Sequence, residues 1–299
     1  MYRYRRPEFV LLDSPDWTEY ELLDSGDGTK LERFGPYQFV RPEPQAIWQP
    51  ALGRKEWAAA HGVFRADDAS EGGRWQFLKP LNERWMMTYK DVRFWVQPTP
   101  FRHFGVFPEQ ANHWDWMRGL IEAAKRPIKV LNLFGYTGIA TLAAAQAGAS
   151  VTHVDASKKV IGWARENQAL SRLEDRPIRW ILDDALKFVK REVRRGASYD
   201  GLIVDPPPFG RGPKGELWRL EESLPELLHE CRSLLSPTPL FFVLTAYAIK
   251  MSALGLHYII ADLLRGYHGT TTAGEMIITE RHAGRALSTA IFARWQAQE

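Results

Sequence analysis

From residue 127 onward short apolar runs alternate with helical segments, and this alternation constrains the fold more than any other feature. The runs span 128–134, 150–155, 178–183, 199–205 and 239–246. Helical patterns fill the gaps at 138–147, 158–170, 185–195 and 217–235. Strands of this length, each followed by a helix, are satisfied by a parallel sheet covered on both faces. A further helix is predicted near 252–265. Two last runs, 273–280 and 286–295, are separated only by Arg281-His282-Ala283-Gly284-Arg285. That gap permits a hairpin, hence an antiparallel strand at the sheet edge. The expected class is α/β with a Rossmann-like sheet.

The region before this alternation reads as a different module. Eight of the twelve tryptophans lie before residue 120. Leu31–Phe34 and Tyr37–Val40 flank Gly35-Pro36, and Arg84–Tyr89 and Val92–Val96 flank Lys90-Asp91. Each is a strand–turn–strand pattern. Residues 109–125 look helical and bridge the modules. The expected division is a tryptophan-rich α+β accessory domain at 1–115 and the Rossmann-like domain at 116–299. The accessory module reads equally as a substrate dock or a subunit contact, and oligomeric state is left open. Asp24-Ser25-Gly26-Asp27-Gly28 lacks the spacing and closing Glu of a calcium loop and reads as a turn. The eight histidines are scattered without ligand spacing, so no metal is expected.

Charge and cysteine content exclude other classes. Net charge is +3, short of the excess carried by an obligate nucleic-acid binder. The basic start Met1–Arg6 is followed by only Phe9-Val10-Leu11-Leu12, too short for a signal h-region. No apolar run is long enough to span a bilayer. One cysteine, Cys231, permits no internal disulfide. A cytoplasmic protein is the expectation. Lys187, Lys190, Arg191, Arg194 and Arg195 form a basic cluster that reads as a solvated helix face. Arg211, Lys214 and Arg219 form a second, which reads equally as phosphate contacts or solvated charge.

The ends of the predicted strands carry the chemistry. The first leads into Phe134-Gly135-Tyr136-Thr137-Gly138 and then a helix rich in alanine, a turn that lets backbone approach a ligand or lets helix pack on sheet. The second ends at Asp155-Ala156-Ser157. A carboxylate there, about 20 residues past the turn, suits a ribose diol, with helix capping as the alternative. The third ends in Asp183-Asp184-Ala185. A carboxylate there could accept from an adenine amino group and the next backbone N–H could donate to the ring, while one of the two acids caps the helix. These ends describe a nucleoside site. They do not separate a nicotinamide dinucleotide from S-adenosylmethionine.

The fourth strand ends in Asp205-Pro206-Pro207-Pro208-Phe209, and this loop separates the two. Prolines cannot extend a ladder or begin a helix interior, so the strand stops and presents a rigid, carbonyl-rich loop. Asp205 and the proline carbonyls can accept from a planar nitrogen group, and Phe209 can stack on an extruded base. Methyl transfer from a sulfonium is an in-line displacement that needs chiefly alignment, which alone supplies on the order of 10⁵ M of effective concentration.

Together these residues resemble class I S-adenosylmethionine-dependent methyltransferases. More narrowly, Val130–Gly138, Val154–Ser157, Ala164, Asn167, Asp183–Ala185 and Asp205–Phe209 resemble the family that includes large-subunit ribosomal RNA methyltransferases acting on cytosine C5 and guanine N7. Phe104–Gln110 matches an upstream segment of that family. The resemblance implies that Gln110, with Glu109, closes the cofactor site, although Ala111 stands where an arginine commonly follows. It also implies a seven-stranded sheet with one antiparallel strand and a small α/β accessory domain. The relatives often carry a further N-terminal RNA-binding domain, for which this sequence has too few residues. The cytosine C5 enzymes carry a nucleophilic cysteine after the fifth strand, where this chain has Thr245-Ala246-Tyr247. Cys231 lies among leucines and reads as core, and Tyr247 reads equally as core or as part of the acceptor site. A nitrogen acceptor is therefore expected.

The reading reached is an S-adenosylmethionine-dependent methyltransferase acting on a base nitrogen of ribosomal or other structured RNA. Asp205, Pro206 and Phe209 hold the target. Gln110, Phe134–Gly138, Asp155–Ser157, Asp183–Ala185 and Asp205 hold the cofactor. A protein amide or small-molecule acceptor, or a non-catalytic RNA- or cofactor-binding module, are the alternatives.

Overall fold

The computed structural model describes residues 7–14, 17–67, 72–247 and 250–298. The basic start Met1–Arg6 lies outside them. The chain forms two compact units. The larger holds the described residues of Met1–Leu12, Asn112–Met276 and Thr289–Glu299, and the smaller those of Asp13–Ala111 and Ile277–Ser288. This is not the single cut expected near residue 115. Strand β1 (Phe9–Asp13) joins the sheet of the larger unit, and a hairpin tip near residue 280 belongs to the smaller.

In the smaller unit, β2 (Tyr20–Gly26), β3 (Thr29–Phe34), β4 (Tyr37–Pro42), β5 (Gly62–Ala66) and β6 (Gly73–Phe77) form one sheet in that order, with the one-turn α1 (Arg54–Trp57) between β4 and β5. β7 (Trp85–Tyr89) and β8 (Val92–Val96) form a separate ribbon. Both expected hairpins are present, closing at Phe34 opposite Tyr37 and at Tyr89 opposite Val92. Aromatic rings fill the interior. Phe104 packs 4.4 Å from Phe34 and 4.5 Å from Phe39, centroid to centroid. A buried ion pair lies beside them: Arg41 donates to both oxygens of Glu32 at 2.7 and 2.8 Å, and the Tyr20 hydroxyl donates at 2.8 Å. Burial alone would raise the Glu32 pKa, but Arg41 and Lys30 outweigh it and hold the carboxyl down to about 2.

Of the segment read as a turn, Asp24–Gly26 end β2 and only Asp27-Gly28 turn into β3, and Asp24 is spent inside this unit. Asp24 accepts from the Ala51 and Leu52 amides, the Trp57 indole and Arg285. Glu280 accepts from Ser25 and Arg285. These bonds satisfy two fully buried carboxylates, which would otherwise be costly.

After β1, the larger unit takes up α2 (Ala111–Ala123) from Asn112 and then alternates: β9 (Lys129–Leu133), α3 (Ile139–Gln146), β10 (Ser150–Asp155), α4 (Lys158–Leu170), β11 (Ile178–Leu182), α5 (Ala185–Arg194) and β12 (Gly201–Val204). A short ribbon, β13 (Phe209–Arg211) with β14 (Leu217–Arg219), precedes α6 (Leu220–Ser233), β15 (Phe241–Ala246), α7 (Ala253–Leu263), β16 (Gly269–Thr279) and β17 (Ala286–Ala297). The sheet order is β1-β16-β17-β15-β12-β9-β10-β11. β17 runs antiparallel to β15, while β15, β12, β9, β10 and β11 are mutually parallel. The expected mostly parallel sheet with an antiparallel strand is present, and β1 adds an eighth strand at the β16 edge. Val10 and Leu12 of β1 pack with Met276, Phe292 and Tyr247, so Tyr247 is a core contact.

The central strand β9 has β10 on one side and β12 on the other. The chain moves outward from β9 to β11 and then returns across β9 to β12. Crevices in open α/β sheets form where the winding reverses, at the carboxyl ends of the strands.

Candidate active site

Register brings four strand ends to that one edge. Leu133 of β9 pairs with Val154 of β10 and Val204 of β12, and Asp155 pairs with Leu182. Phe134, Asp155, Asp183 and Asp205 therefore leave the sheet side by side.

The turn after β9 is held in uncommon backbone. Phe134 and Tyr136 have φ of 58° and 51°, and Gly138 has 84°. Left-handed backbone is uncommon for residues with a Cβ and concentrates at functional sites. Asp155 fixes the turn, accepting from the Tyr136 amide at 2.9 Å and the Ser157 amide at 2.8 Å. Burial raises the Asp155 pKa, against the pull of these amides. The alternative of helix capping falls to Ser157, which caps α4 by accepting from the Val160 amide. Asn167 of α4 donates to the Thr137 carbonyl at 2.9 Å, tying the turn to that helix as well.

Both glycines of the turn have packing reasons of their own. A Cβ on Gly135 would stand 2.4 Å from the His153 ring, and one on Gly138 would stand 2.9 Å from Ala164 Cβ. His153 is fully buried, and burial lowers its pKa to about 3. Its Nδ1 meets Thr141 Oγ1 at 2.9 Å, which also accepts from Asn132 at 2.9 Å. Sequence reading missed this polar layer beneath the turn. Its residues lie on two strands and a helix, and nothing in their spacing marks them.

At the third strand end the two acids divide their work. Asp184 is the N-cap of α5, its Oδ1 accepting from the Lys187 amide at 2.9 Å. Asp183 accepts from the Asp184 amide at 2.9 Å and pairs with Arg191 at 2.6 Å. The Asp183 amide donates to the Asp155 carbonyl at 3.2 Å, so the two tips are adjacent. Ala185 is buried at the first turn of α5. The basic cluster on α5 is a paired, solvated face: Lys187 with Glu216, Lys190 with Glu226, Arg195 with Glu192.

The proline loop departs from expectation in one respect. Two of its three carbonyls are engaged within the protein. Trp218 Nε1 donates to the Pro207 carbonyl at 2.7 Å, and the Leu220 amide to that of Pro208 at 3.0 Å. Among the three proline carbonyls, that of Pro206 is what remains of the predicted acceptor set. Phe209 opens β13 with half its surface exposed, opposite Arg219. Trp218 is buried, with its ring 4.9 Å from that of Phe134. It thus touches both the turn after β9 and the proline loop. Residues 217–219 were expected to begin a helix, which hid this role.

Cys231 is buried in α6, where burial pushes its thiol pKa up, and Thr245 is buried at the end of β15. Gln110 is buried in the one-turn helix Pro108–Gln110 of the smaller unit. No group of metal-ligand side chains occurs among the described residues. No helix among them is long and apolar enough to cross a membrane.

The donor set suits an adenosyl group. The part-buried Asp155 carboxylate faces the turn after β9, and Asp184 spends one oxygen on its cap. Comparison with known proteins agrees. A family model described as S-adenosylmethionine-dependent methyltransferase matches residues 44–243. A solved SAM-dependent methyltransferase from Agrobacterium tumefaciens is 48% identical, with a TM-score of 0.93 over 99% of this chain and 98% of that one. A methyltransferase solved with SAH shares the fold at a TM-score of 0.72 and 17% identity, over 93% of this chain and 76% of that one. The ribosomal RNA large subunit methyltransferase K/L of Chromohalobacter salexigens is 35% identical over 67% of this chain and 28% of that protein, and that of Hahella chejuensis 30% identical over 58% and 24%. The chain thus spans about a quarter of the length of these curated relatives. With a family match over most of its length and the glycine turn, Asp155 and the proline loop gathered at one sheet edge, the chain belongs to the S-adenosylmethionine-dependent methyltransferases.

Proposed function

We propose that this enzyme methylates a base nitrogen in ribosomal or other structured RNA. The observation that carries the reading is the adjacency of Asp205, Pro206 and half-exposed Phe209 to the turn after β9. S-adenosylmethionine supplies a methyl group already activated on a sulfonium. Phe134–Gly138 cradle it with backbone, Asp155 accepts from its ribose, and Asp184 with the Ala185 amide reads its adenine. Ala156, Ser157 and Asp183 shape the walls. Asp205 and the Pro206 carbonyl accept hydrogen bonds from the planar acceptor and orient its nitrogen lone pair. With the cofactor bound, Asp205 or water would take the proton that the acceptor nitrogen loses on methylation. Phe209 stacks on the base. The names of the ribosomal RNA methyltransferase relatives support an RNA acceptor.

The test supplies labelled cofactor with separate pools of ribosomal RNA, transfer RNA and cell protein. Label is expected in RNA. Label confined to protein or to small metabolites would overturn the reading. Asp205→Ala is expected to lower transfer by about 100-fold, the scale of lost alignment, while S-adenosylhomocysteine still binds.

A further inference from the structure

We infer that the ribbon β13–β14 is a clamp for the single-stranded RNA next to the target base. This rests on the proposed RNA acceptor and extends it to a surface beyond the acceptor loop. The ribbon has two unlike faces. Gly210 and buried Trp218 form the inner one, and Trp218 anchors it through the Pro207 carbonyl and the Phe134 ring. The outer face alternates Phe209 opposite Arg219 and Arg211 opposite Leu217. Phe209 and Leu217 are each 50% exposed, an unusual outlay of apolar surface for two three-residue strands.

Charge decides the occupant. Arg211 and the Lys214 ammonium make no hydrogen bond or ion pair among the described residues. Among the described residues Arg219 pairs only with exposed Glu222 at 3.0 Å, a surface bridge that a phosphate can replace. Glu216 is the only acid between Phe209 and Arg219. It is turned inward, one oxygen on Lys187 Nζ at 2.6 Å and the other on the Lys214 amide at 2.8 Å. The outer face therefore presents cations interleaved with apolar side chains, the arrangement that grips a phosphate backbone while packing on base faces. An acidic peptide would use the cations but has no need of the apolar positions between them. Because Phe209 belongs to both the acceptor loop and the ribbon, a strand bound here leads directly into the site.

The test measures binding of a fluorescent single-stranded RNA oligonucleotide by anisotropy, with S-adenosylhomocysteine present, between about 50 and 200 mM salt. Arg211→Ala with Lys214→Ala is expected to flatten the log–log salt slope by about 1.4 and to weaken binding roughly 15-fold at 0.15 M salt, from about 0.7 counterions per lost contact. Leu217→Glu is the second variant, expected to weaken binding by repulsion. All three positions are exposed or half-exposed, and unchanged S-adenosylhomocysteine affinity would show an intact fold. A wild type that labels RNA alongside variants with unaltered slope and affinity would overturn the clamp and leave the proposed function standing. A wild type that neither binds nor labels RNA, but labels protein, would overturn both.

Discussion

Replacing Gly135 by alanine tests whether this glycine serves packing as well as the ligand. Its Cβ would stand 2.4 Å from His153 Cε1, 2.5 Å from Nδ1 and 3.0 Å from Nε2. The ring cannot easily retreat, because it is fully buried, bonded to Thr141 and packed 4.6 Å from Trp180. Forcing one methyl into such a space costs about 1–3 kcal/mol. For a unit of this size that lowers Tm by roughly 2–12 °C, which scanning calorimetry would resolve. The turn must also shift, so S-adenosylhomocysteine affinity is expected to fall. His153→Ala separates the causes. It empties the space that the new methyl needs, so in the double variant Gly135→Ala should cost at least ~1 kcal/mol less than it does alone. Equal cost in both backgrounds would refute the clash with His153 and return the glycine to a purely backbone role.

Acid should destabilise the enzyme below pH 6.5, because His103, His113 and His153 are held by burial to about 3. The unfolded chain takes up protons that the folded one refuses, so stability present above pH 6.5 is lost as pH falls, by about 1.4 kcal/mol per pH unit for each imidazole. A Tm that stays flat from pH 7 to 5 would contradict this. Trp218→Phe keeps a ring against Phe134 but strips the Pro207 carbonyl of its donor. Stability is expected to fall by about 1 kcal/mol and methyl transfer by a larger factor, compared by calorimetry and labelled-cofactor assay. Cys231→Ala should retain transfer, since the thiol is buried in α6 with its pKa raised by burial. Loss of transfer without loss of fold would revive covalent catalysis.

Most of the larger sheet was legible because its elements announce themselves locally. Helix α4 spans the predicted residues 158–170, and the strand ends at Asp155 and Asp205 were read directly from apolar runs broken by acid or proline. What was missed depends on distant partners. β1 pairs with a strand some 260 residues later, and its four apolar residues carry no sign of that. β14 is three residues long, too short for a period, and merges into α6. The glycine turn was read for its ligand, but its tightness answers to a histidine on the next strand. Asp183-Asp184 were left undivided, and only the N-cap geometry of α5 assigns one to the helix and the other to Arg191.

The hairpin tip at residues 277–288 bears on how the protein is made. A polypeptide growing from its N-terminus completes residues 13–111 long before Glu280 and Arg285 exist. Until then Asp24 lacks its arginine and Ser25 its carboxylate acceptor. The smaller unit gains these bonds only after some 170 further residues are added. A fragment ending before the tip leaves Asp24 without Arg285 and Ser25 without Glu280, and is expected to be less stable than the full chain.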